Sequence, residues 1–345
     1  MITVDLRSDT LTRPTAAMRE AMMQANVGDD VFNEDPTLNR LQDFIVKETG
    51  MEAALFVTSG TQGNQICLKS HTNPGQEVLL DYNSHIMNYE SGAPAMLAGV
   101  QLHPMNGTQG VLTVEQLKLG IRPADDHYPQ TGLICLENTH NRAGGTIYPI
   151  REIERISQFA KEKELPLHLD GARLWNACDA SGILLKDYCR RFDSVSLCFS
   201  KGLGAPVGSI VAGKADFIKK AHFYRKAYGG GIRQGGILAA AALHALEHHR
   251  TLLNEDHRRA RWIAEEIDKI DGLSVELSTV QTHIVIFEVD TKRFSADYVV
   301  KQLAEMGIHM FVFGPTRIRI VTHLDISDDD IAYAADQFRK LKPMN

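Results

Sequence analysis

A chain of 345 residues is long enough to bury a sizeable core and, on size alone, divides into roughly two domains. Its 43% hydrophobic and 23% charged residues match an ordinary globular protein, which excludes a disordered or fibrous chain. A formal net charge of -6 gives no general attraction to nucleic acid or to an anionic membrane, so the expected partner is a small molecule.

The first segment, Met1 to Asp9, carries Asp5, Arg7 and Asp9 and lacks the apolar stretch of a signal peptide. No later run approaches the roughly 18 to 20 apolar residues that span a bilayer. Cys67, Cys135, Cys178, Cys189 and Cys198 are scattered without C-x-x-C spacing, which argues against a disulfide framework and a structural zinc site. A cytoplasmic location with reduced thiols and no metal is therefore expected.

From the N-terminus, apolar periodicity predicts helices over Ala16 to Ala25 and from Pro36, capped by Asp35, toward Glu48. Short apolar runs predict strands at Ala53–Val57, Val78–Asp81, Leu133–Glu137, Leu167–Asp170, Val195–Phe199 and Ser209–Ala212. Between and after them, helices are expected at Gln62–Ser70, Ile150–Lys163, Lys214–Ala227 and Gly236–His249. This alternation is that of an α/β domain with a largely parallel sheet covered on both faces. Beyond residue 250 the pattern becomes helix (Asp256–Ile270), strand (His283–Val289), helix (Ala296–Met306), strand (Arg317–Val321) and helix (Asp328–Leu341). We read a large domain over 1–250 and a smaller α+β domain over 251–345, bridged by a long helix, with the arm 1–14 free to pack on the small domain.

Two predicted strands end in polar residues beside glycine: His168-Leu169-Asp170-Gly171-Ala172-Arg173 and Phe199-Ser200-Lys201-Gly202-Leu203-Gly204. Ligands bind at the carboxyl ends of strands in open α/β sheets, so Asp170 and Lys201 are expected to face one pocket. A lysine there can hold a carbonyl cofactor as an imine, provided the site disfavours its ammonium form. An aspartate beside it keeps the pyridine nitrogen of pyridoxal phosphate protonated, which makes the ring an electron sink. Ser59-Gly60-Thr61-Gln62-Gly63-Asn64 reads as a turn entering a helix, and a helix N-terminus with glycine and hydroxyls suits a phosphate. His85 follows a strand end in Ser84-His85-Ile86, where an imidazole can stack on a ring or take a proton. Arg173, Arg317 and Arg319 are the candidates for a substrate carboxylate, which a guanidinium binds as a fork. Each of these residues also has a plain structural reading as a strand-end residue, a helix cap or a surface ion pair.

In order along the chain, these segments resemble the threonine aldolase family within the aspartate-aminotransferase-like pyridoxal-phosphate enzymes. The blocks that carry the resemblance include Asp5-Leu6-Arg7-Ser8-Asp9-Thr10, Glu34-Asp35-Pro36-Thr37, Ser59 to Asn64, Leu136-Glu137-Asn138-Thr139-His140-Asn141, Leu169 to Arg173, Ser200 to Gly208, Gly229-Gly230-Gly231-Ile232-Arg233-Gln234 and Arg319-Ile320-Val321-Thr322-His323. One departure is Val31-Phe32-Asn33, where members often place a glycine after the valine and an aromatic residue.

The resemblance implies fold type I, with a mostly parallel seven-stranded sheet. It implies that Lys201 carries the pyridoxal phosphate, Asp170 pairs with the pyridine nitrogen and His85 stacks over the ring. Ser59, Gly60, Thr61 and Ser200 join the cofactor set together with Arg173, and Arg233 of a neighbouring subunit adds charge at the phosphate. Ser8, Arg173, Arg319 and Tyr89 bind substrate, and His127 approaches its β-hydroxyl. The implied reaction is cleavage of threonine or allo-threonine to glycine and an aldehyde, by a low-specificity enzyme accepting both. The implied assembly is a homodimer with shared sites, or a homotetramer. A β-eliminating lyase or aminotransferase shares the lysine, aspartate and phosphate turn, and release of ammonia plus a keto acid distinguishes those. A cofactor-binding DNA regulator is disfavoured by the acidic balance.

Overall fold

The computed structural model describes residues 3–344, so Met1, Ile2 and Asn345, at the ends of the expected domains, lie outside the described residues. Seven strands form the large sheet, in the order Ala53–Val57, Ser209–Gly213, Ser194–Cys198, Leu167–Gly171, Thr131–Glu137, Glu77–Asp81, Gln101–Met105. All run parallel except Ser209–Gly213, which is antiparallel to both neighbours. Every residue of Leu167–Gly171, Ser194–Cys198 and Ser209–Gly213 is buried, as expected of strands covered on both faces. Successive side chains separate to the two sides: Phe56 joins one core with Leu38, Ile134 and Leu243, whereas Leu55 and Val57 join another with Ile66 and Phe217.

Gln101–Met105 was not expected as a strand, because Gln-Leu-His-Pro-Met is polar and contains Pro104. It lies at the edge of the sheet, where a missing N–H is tolerated. The expected single bridging helix is instead two helices, Gly236–His248 and Leu253–Ile267, joined by a 3-10 turn at Arg250–Leu252. His249 anchors the turn, its Nδ1 donating to the Leu203 carbonyl at 2.8 Å, directly behind the Lys201 loop.

A second, antiparallel sheet has the order Phe311–Val312, Arg317–Val321, Ile284–Val289, Leu273–Val275. It shares a core with helices Leu253–Ile267, Ala296–Glu305 and Asp328–Phe338. Val4 and Leu6 belong to that same core, and Val4–Asp5 pairs in parallel with Ile308–His309. From there a turn at Asp9–Leu11, capped by Ser8, carries the arm back to the large sheet, where the Thr12 hydroxyl donates to the Lys201 carbonyl at 3.1 Å. Among the described residues the five cysteines are free, and no helix is long and apolar enough to cross a membrane.

Candidate active site

The carboxyl ends of the parallel strands converge on one place. Ser59 caps helix Gly60–His71, its hydroxyl accepting from the Gln62 N–H at 3.1 Å, so the helix starts at the tip of strand Ala53–Val57. The helix lies tight on the sheet. A Cβ at Gly60 would meet Cys198 Sγ at 2.9 Å and one at Gly63 would meet Ser196 Oγ at 2.6 Å, so only glycine allows this approach. The free N–H groups of this first turn then face the same space as the loop that follows strand Ser194–Cys198.

That space is a cavity of about 110 Å³ lined by Gly60, Thr61, His85, Asp170, Ser200 and Lys201, together with Asn64, Thr139 and Arg173. It opens into a second cavity of about 370 Å³, which His85, Arg173 and Lys201 also line and to which Ser8, Tyr89, Asn141, Phe313 and Arg319 contribute. Polar groups therefore surround the lysine while Phe311, Val312 and Phe313 form an apolar wall.

Asp170 is buried. One carboxylate oxygen accepts from the Ala172 N–H at 3.1 Å and the other from Asn64 Nδ2 at 2.8 Å. Asn64 Nδ2 also donates to Glu90 at 2.8 Å, and Glu90 accepts from Gln65 Nε2 at 2.6 Å and His85 Nδ1 at 2.9 Å. Burial opposes a charge on His85, but the Glu90 bond and the nearby Asp170 and Glu90 carboxylates prevail and raise its pKa above the ordinary value. With Nδ1 committed to Glu90, Nε2 is the ring nitrogen left for a ligand. Glu137 anchors the loops by accepting from the His85 N–H at 2.6 Å and the Asn141 N–H at 2.8 Å.

Two arginines define the other side. Arg173 makes a two-pronged pair with Asp9, from Nε at 2.8 Å and Nη2 at 2.7 Å, and His283 Nε2 donates to the same carboxylate at 2.9 Å. Burial opposes ionisation of Asp9. The Arg173 charge and these hydrogen bonds nevertheless hold its carboxyl well below the usual range. Burial pushes His283 down, so it serves as a neutral donor. Among the described residues Arg319 has no carboxylate partner: Nη1 donates to Asn141 Oδ1 at 3.0 Å, Nη2 to the Arg7 carbonyl at 3.2 Å, and Nε is buried without a partner. Its guanidinium lies 4.9 Å from the centre of the Phe313 ring. Burial, reinforced by the Arg173 charge, pushes its pKa down to about 10, which still leaves it cationic at neutral pH.

Residues 5–290 match the model of the beta-eliminating lyase family. The chain is 44% identical to low-specificity L-threonine aldolase 1 of Arabidopsis thaliana over 99% of this chain and 96% of the relative. It is 40% identical to the low specificity L-threonine aldolase of Escherichia coli K12, over 97% of this chain and 98% of that one. The chain belongs to the threonine aldolase family. Among solved structures, a Leishmania major threonine aldolase has a TM-score of 0.85 at 19% identity, covering 98% of this chain and 99% of that one. A Thermus thermophilus aspartate aminotransferase has a TM-score of 0.75 at 15% identity, covering 98% and 91%. At such identities the likeness shows the fold alone, that of the fold type I enzymes.

This family member is a lyase whose cofactor is pyridoxal 5'-phosphate. The donor set fits that group. A helix N-terminus with glycine and threonine meets the needs of a phosphate, a buried carboxylate those of a pyridinium, and a lysine in the same cavity those of an imine. The Thr139 hydroxyl and Arg319 Nε, both buried and unpartnered at the linings of the two cavities, are donors that a ligand would satisfy.

Of the residues singled out in the sequence, Gly60, Thr61, His85, Asp170, Arg173, Ser200 and Lys201 come together in the smaller cavity, and Ser8, Tyr89 and Arg319 line the larger one. Four stand apart in this chain. The Ser59 hydroxyl is used as the helix cap. His127 has a side chain 88% exposed and held 2.6 Å from Asp125, outside both cavities. Arg233 is half exposed and 3.3 Å from Asp29. Arg317, the alternative to Arg319, pairs with Glu288 at 2.8 Å on the exposed side of the small sheet. Sequence reasoning missed Asp9, Asn64, Glu90, Glu137 and Asn141. Four of these lie in quoted blocks and Glu90 follows Tyr89; each makes at least one pairing with a residue well separated along the chain, as Asp9 does with Arg173 and Asn64 with Asp170, which nothing local marks.

Proposed function

We propose that the enzyme cleaves L-threonine, L-allo-threonine and related β-hydroxy-α-amino acids to glycine and an aldehyde. The observation that carries this reading is an unpaired cationic fork, Arg319, across one cavity from Lys201 and His85. A carboxylate bound there holds an amino acid with its amine at the lysine and its side chain toward the imidazole.

Bound pyridoxal phosphate supplies an electron sink for the pair released when the Cα–Cβ bond breaks. The chain's own residues do the rest. Lys201 would hold the cofactor as an imine, and Asp170 would keep its pyridine nitrogen protonated. Gly60, Thr61 and Ser200 bind the phosphate beside the N-terminus of helix Gly60–His71. Arg319 grips the carboxylate as a fork, with Ser8 and the Arg173 Nη1 beside it. Arg142 donates to the Tyr89 hydroxyl at 2.7 Å, fixing the phenol at the mouth of the site. We assign the β-hydroxyl proton to Nε2 of His85, whose orientation Glu90 sets through Nδ1. His127 is too exposed in this chain to share that task unless its loop or a neighbouring copy brings it in.

The reading includes a homodimer with shared sites, in which Arg233 reaches the partner's phosphate, and assembly to a tetramer. It also includes a large cofactor-binding domain over 1–250, a small domain over 251–345 and a cytoplasmic location. In support, Arg233 stands half exposed outside its own cavity, and all five cysteines are unpaired.

The test is to reconstitute the purified protein with pyridoxal phosphate, supply each threonine diastereomer, and quantify glycine and acetaldehyde against ammonia and 2-oxobutyrate. Glycine and acetaldehyde in equal amounts are expected. Ammonia and keto acid without glycine would overturn the reading in favour of β-elimination.

A further inference from the structure

Behind Asp170 runs a buried polar chain that takes no part in the chemistry above. His71 Nε2 lies 2.8 Å from Ser194 Oγ, and Ser194 Oγ lies 2.9 Å from His168 Nδ1. His168 Nε2 lies 3.3 Å from Asn64 Oδ1, and Asn64 Nδ2 donates to both Asp170 and Glu90. His168 and Ser194 are fully buried and Asn64 nearly so.

The direction of every bond follows from the two carboxylates. Asn64 has two N–H groups, and both are spent on anions that accept but cannot donate. Its oxygen therefore faces His168, which must present N–H at Nε2. Burial pushes His168 down to about 4 and His71 to about 3, so both are neutral and each has one N–H. His168 Nδ1 is then an acceptor, Ser194 donates to it, and Ser194 accepts from His71 Nε2. The chain has one polarity, with all donors pointing toward Asp170 and Glu90. The reverse polarity would turn the Asn64 oxygen onto two carboxylates.

The need for such a device is electrostatic. One side-chain nitrogen or oxygen of each of His85, Glu90 and Asp170 lies within 4.8 Å of the others, so two carboxyl groups share one buried site and both need donors. Lys201 and the ring of His85 also line the space in front of Asp170. Asn64 is the neutral group that donates to both carboxylates at once, and a side-chain amide can rotate by half a turn at little cost unless something holds its oxygen.

We propose that His168 is a positioning residue for Asp170: by locking the Asn64 amide, it lets Asp170 stand as an anion toward the cofactor's pyridine nitrogen while Glu90 stands as an anion toward His85. The inference rests on the reading of Asp170 as the pyridine partner.

Two near-isosteric substitutions separate positioning from packing. A glutamine amide nitrogen overlays Nε2 of an imidazole, so His168→Gln keeps the donor to Asn64. An asparagine amide nitrogen overlays Nδ1, so His168→Asn loses it. Apoprotein of each is titrated with pyridoxal phosphate, and the holo forms are compared by the nitrogen-15 resonance of pyridine-labelled cofactor. His168→Gln should match wild type in both. His168→Asn should bind the cofactor about 10-fold or more weakly, the order expected when a hydrogen bond to a charged network is lost, and its pyridine signal should move toward the unprotonated position. Ser194→Ala removes the donor to Nδ1 with little change of volume and should move the same signal in the same direction. Identical behaviour of His168→Gln and His168→Asn, or an unmoved signal in Ser194→Ala should His168→Asn fail to fold, overturns the inference. Wild-type protein that takes up no pyridoxal phosphate removes the underlying reading, and this inference with it.

Discussion

Replacing Arg319 by alanine tests the carboxylate clamp with a magnitude the structure supplies. The guanidinium is cationic at neutral pH despite burial, is oriented by Asn141 and the Arg7 carbonyl, and has no acidic partner among the described residues. A substrate carboxylate would thus be its only counter-ion. A hydrogen bond to a charged group contributes about 1.5–3 kcal/mol, or roughly 10- to 150-fold in kcat/KM at about 1.4 kcal/mol per decade. Because a clamp on the carboxylate would also orient the bond to be broken, Arg319→Ala should lower kcat as well as raise KM. Arg319→Lys, which keeps the charge but not the fork, should fall between alanine and wild type. Arg317 is the internal control. Its pair with Glu288 has side chains 54% and 49% exposed, so Arg317→Ala should cost stability within the 0 to about 1 kcal/mol of a surface ion pair and leave turnover intact. Steady-state kinetics on the three variants, with cofactor absorbance as a check on the site, decides the matter. Near-normal turnover in Arg319→Ala with a collapse in Arg317→Ala would show the clamp to be misassigned.

Lys201→Ala should lose turnover and the visible absorption of lysine-bound cofactor together; borohydride fixation of cofactor to the variant protein would contradict this. Mixing inactive Lys201→Ala with inactive Arg233→Ala subunits should restore part of the activity through a shared site carrying neither change, and an Arg233→Ala protein of normal cofactor affinity argues against sharing. His85 is raised above its ordinary value of 6.5 by Glu90 and Asp170, so its charged pairing contributes fully below pH 6.5 and is lost as pH rises through the raised value. Glu90→Gln should therefore move the acid limb of the pH–rate profile to lower pH, whereas an unmoved limb separates His85 from the β-hydroxyl proton. Asp9→Asn leaves Arg173 unpaired in the interior and should cost about 3–5 kcal/mol at pH 7. Because the Asp9 value is depressed from 3.8, that contribution is present above about pH 4 and fades as pH falls through the lower folded value. A stability gap in urea unfolding that stays constant from neutral pH into strong acid would refute the pairing account.

The parts of this enzyme legible in the sequence are those fixed by neighbours along the chain. Continuous apolar runs marked the buried strands, and Asp170 and Lys201 stood at strand ends because a polar residue beside glycine closes each run. Ser59 followed by glycine marked a helix start. The ordered blocks then assigned the family. What stayed hidden depends on residues far apart. Asp9 meets Arg173 across 164 positions, and Asn64 meets Asp170 across 106. No periodicity marks such pairs, because they form only when the arm and helix Gly60–His71 pack onto the large sheet. Arg317 and Arg319 share a strand face and cannot be told apart by alternation. The tertiary structure separates them, turning one to a glutamate in solvent and the other into the cavity that the lysine also lines. The small sheet also recruits Val4 and Leu6 from the opposite end of the chain, since burial of apolar surface is indifferent to sequence distance. Sequence by itself determined which chemistry the chain can carry; packing decided which arginine faces the cavity of the lysine and which amide joins the two buried carboxylates.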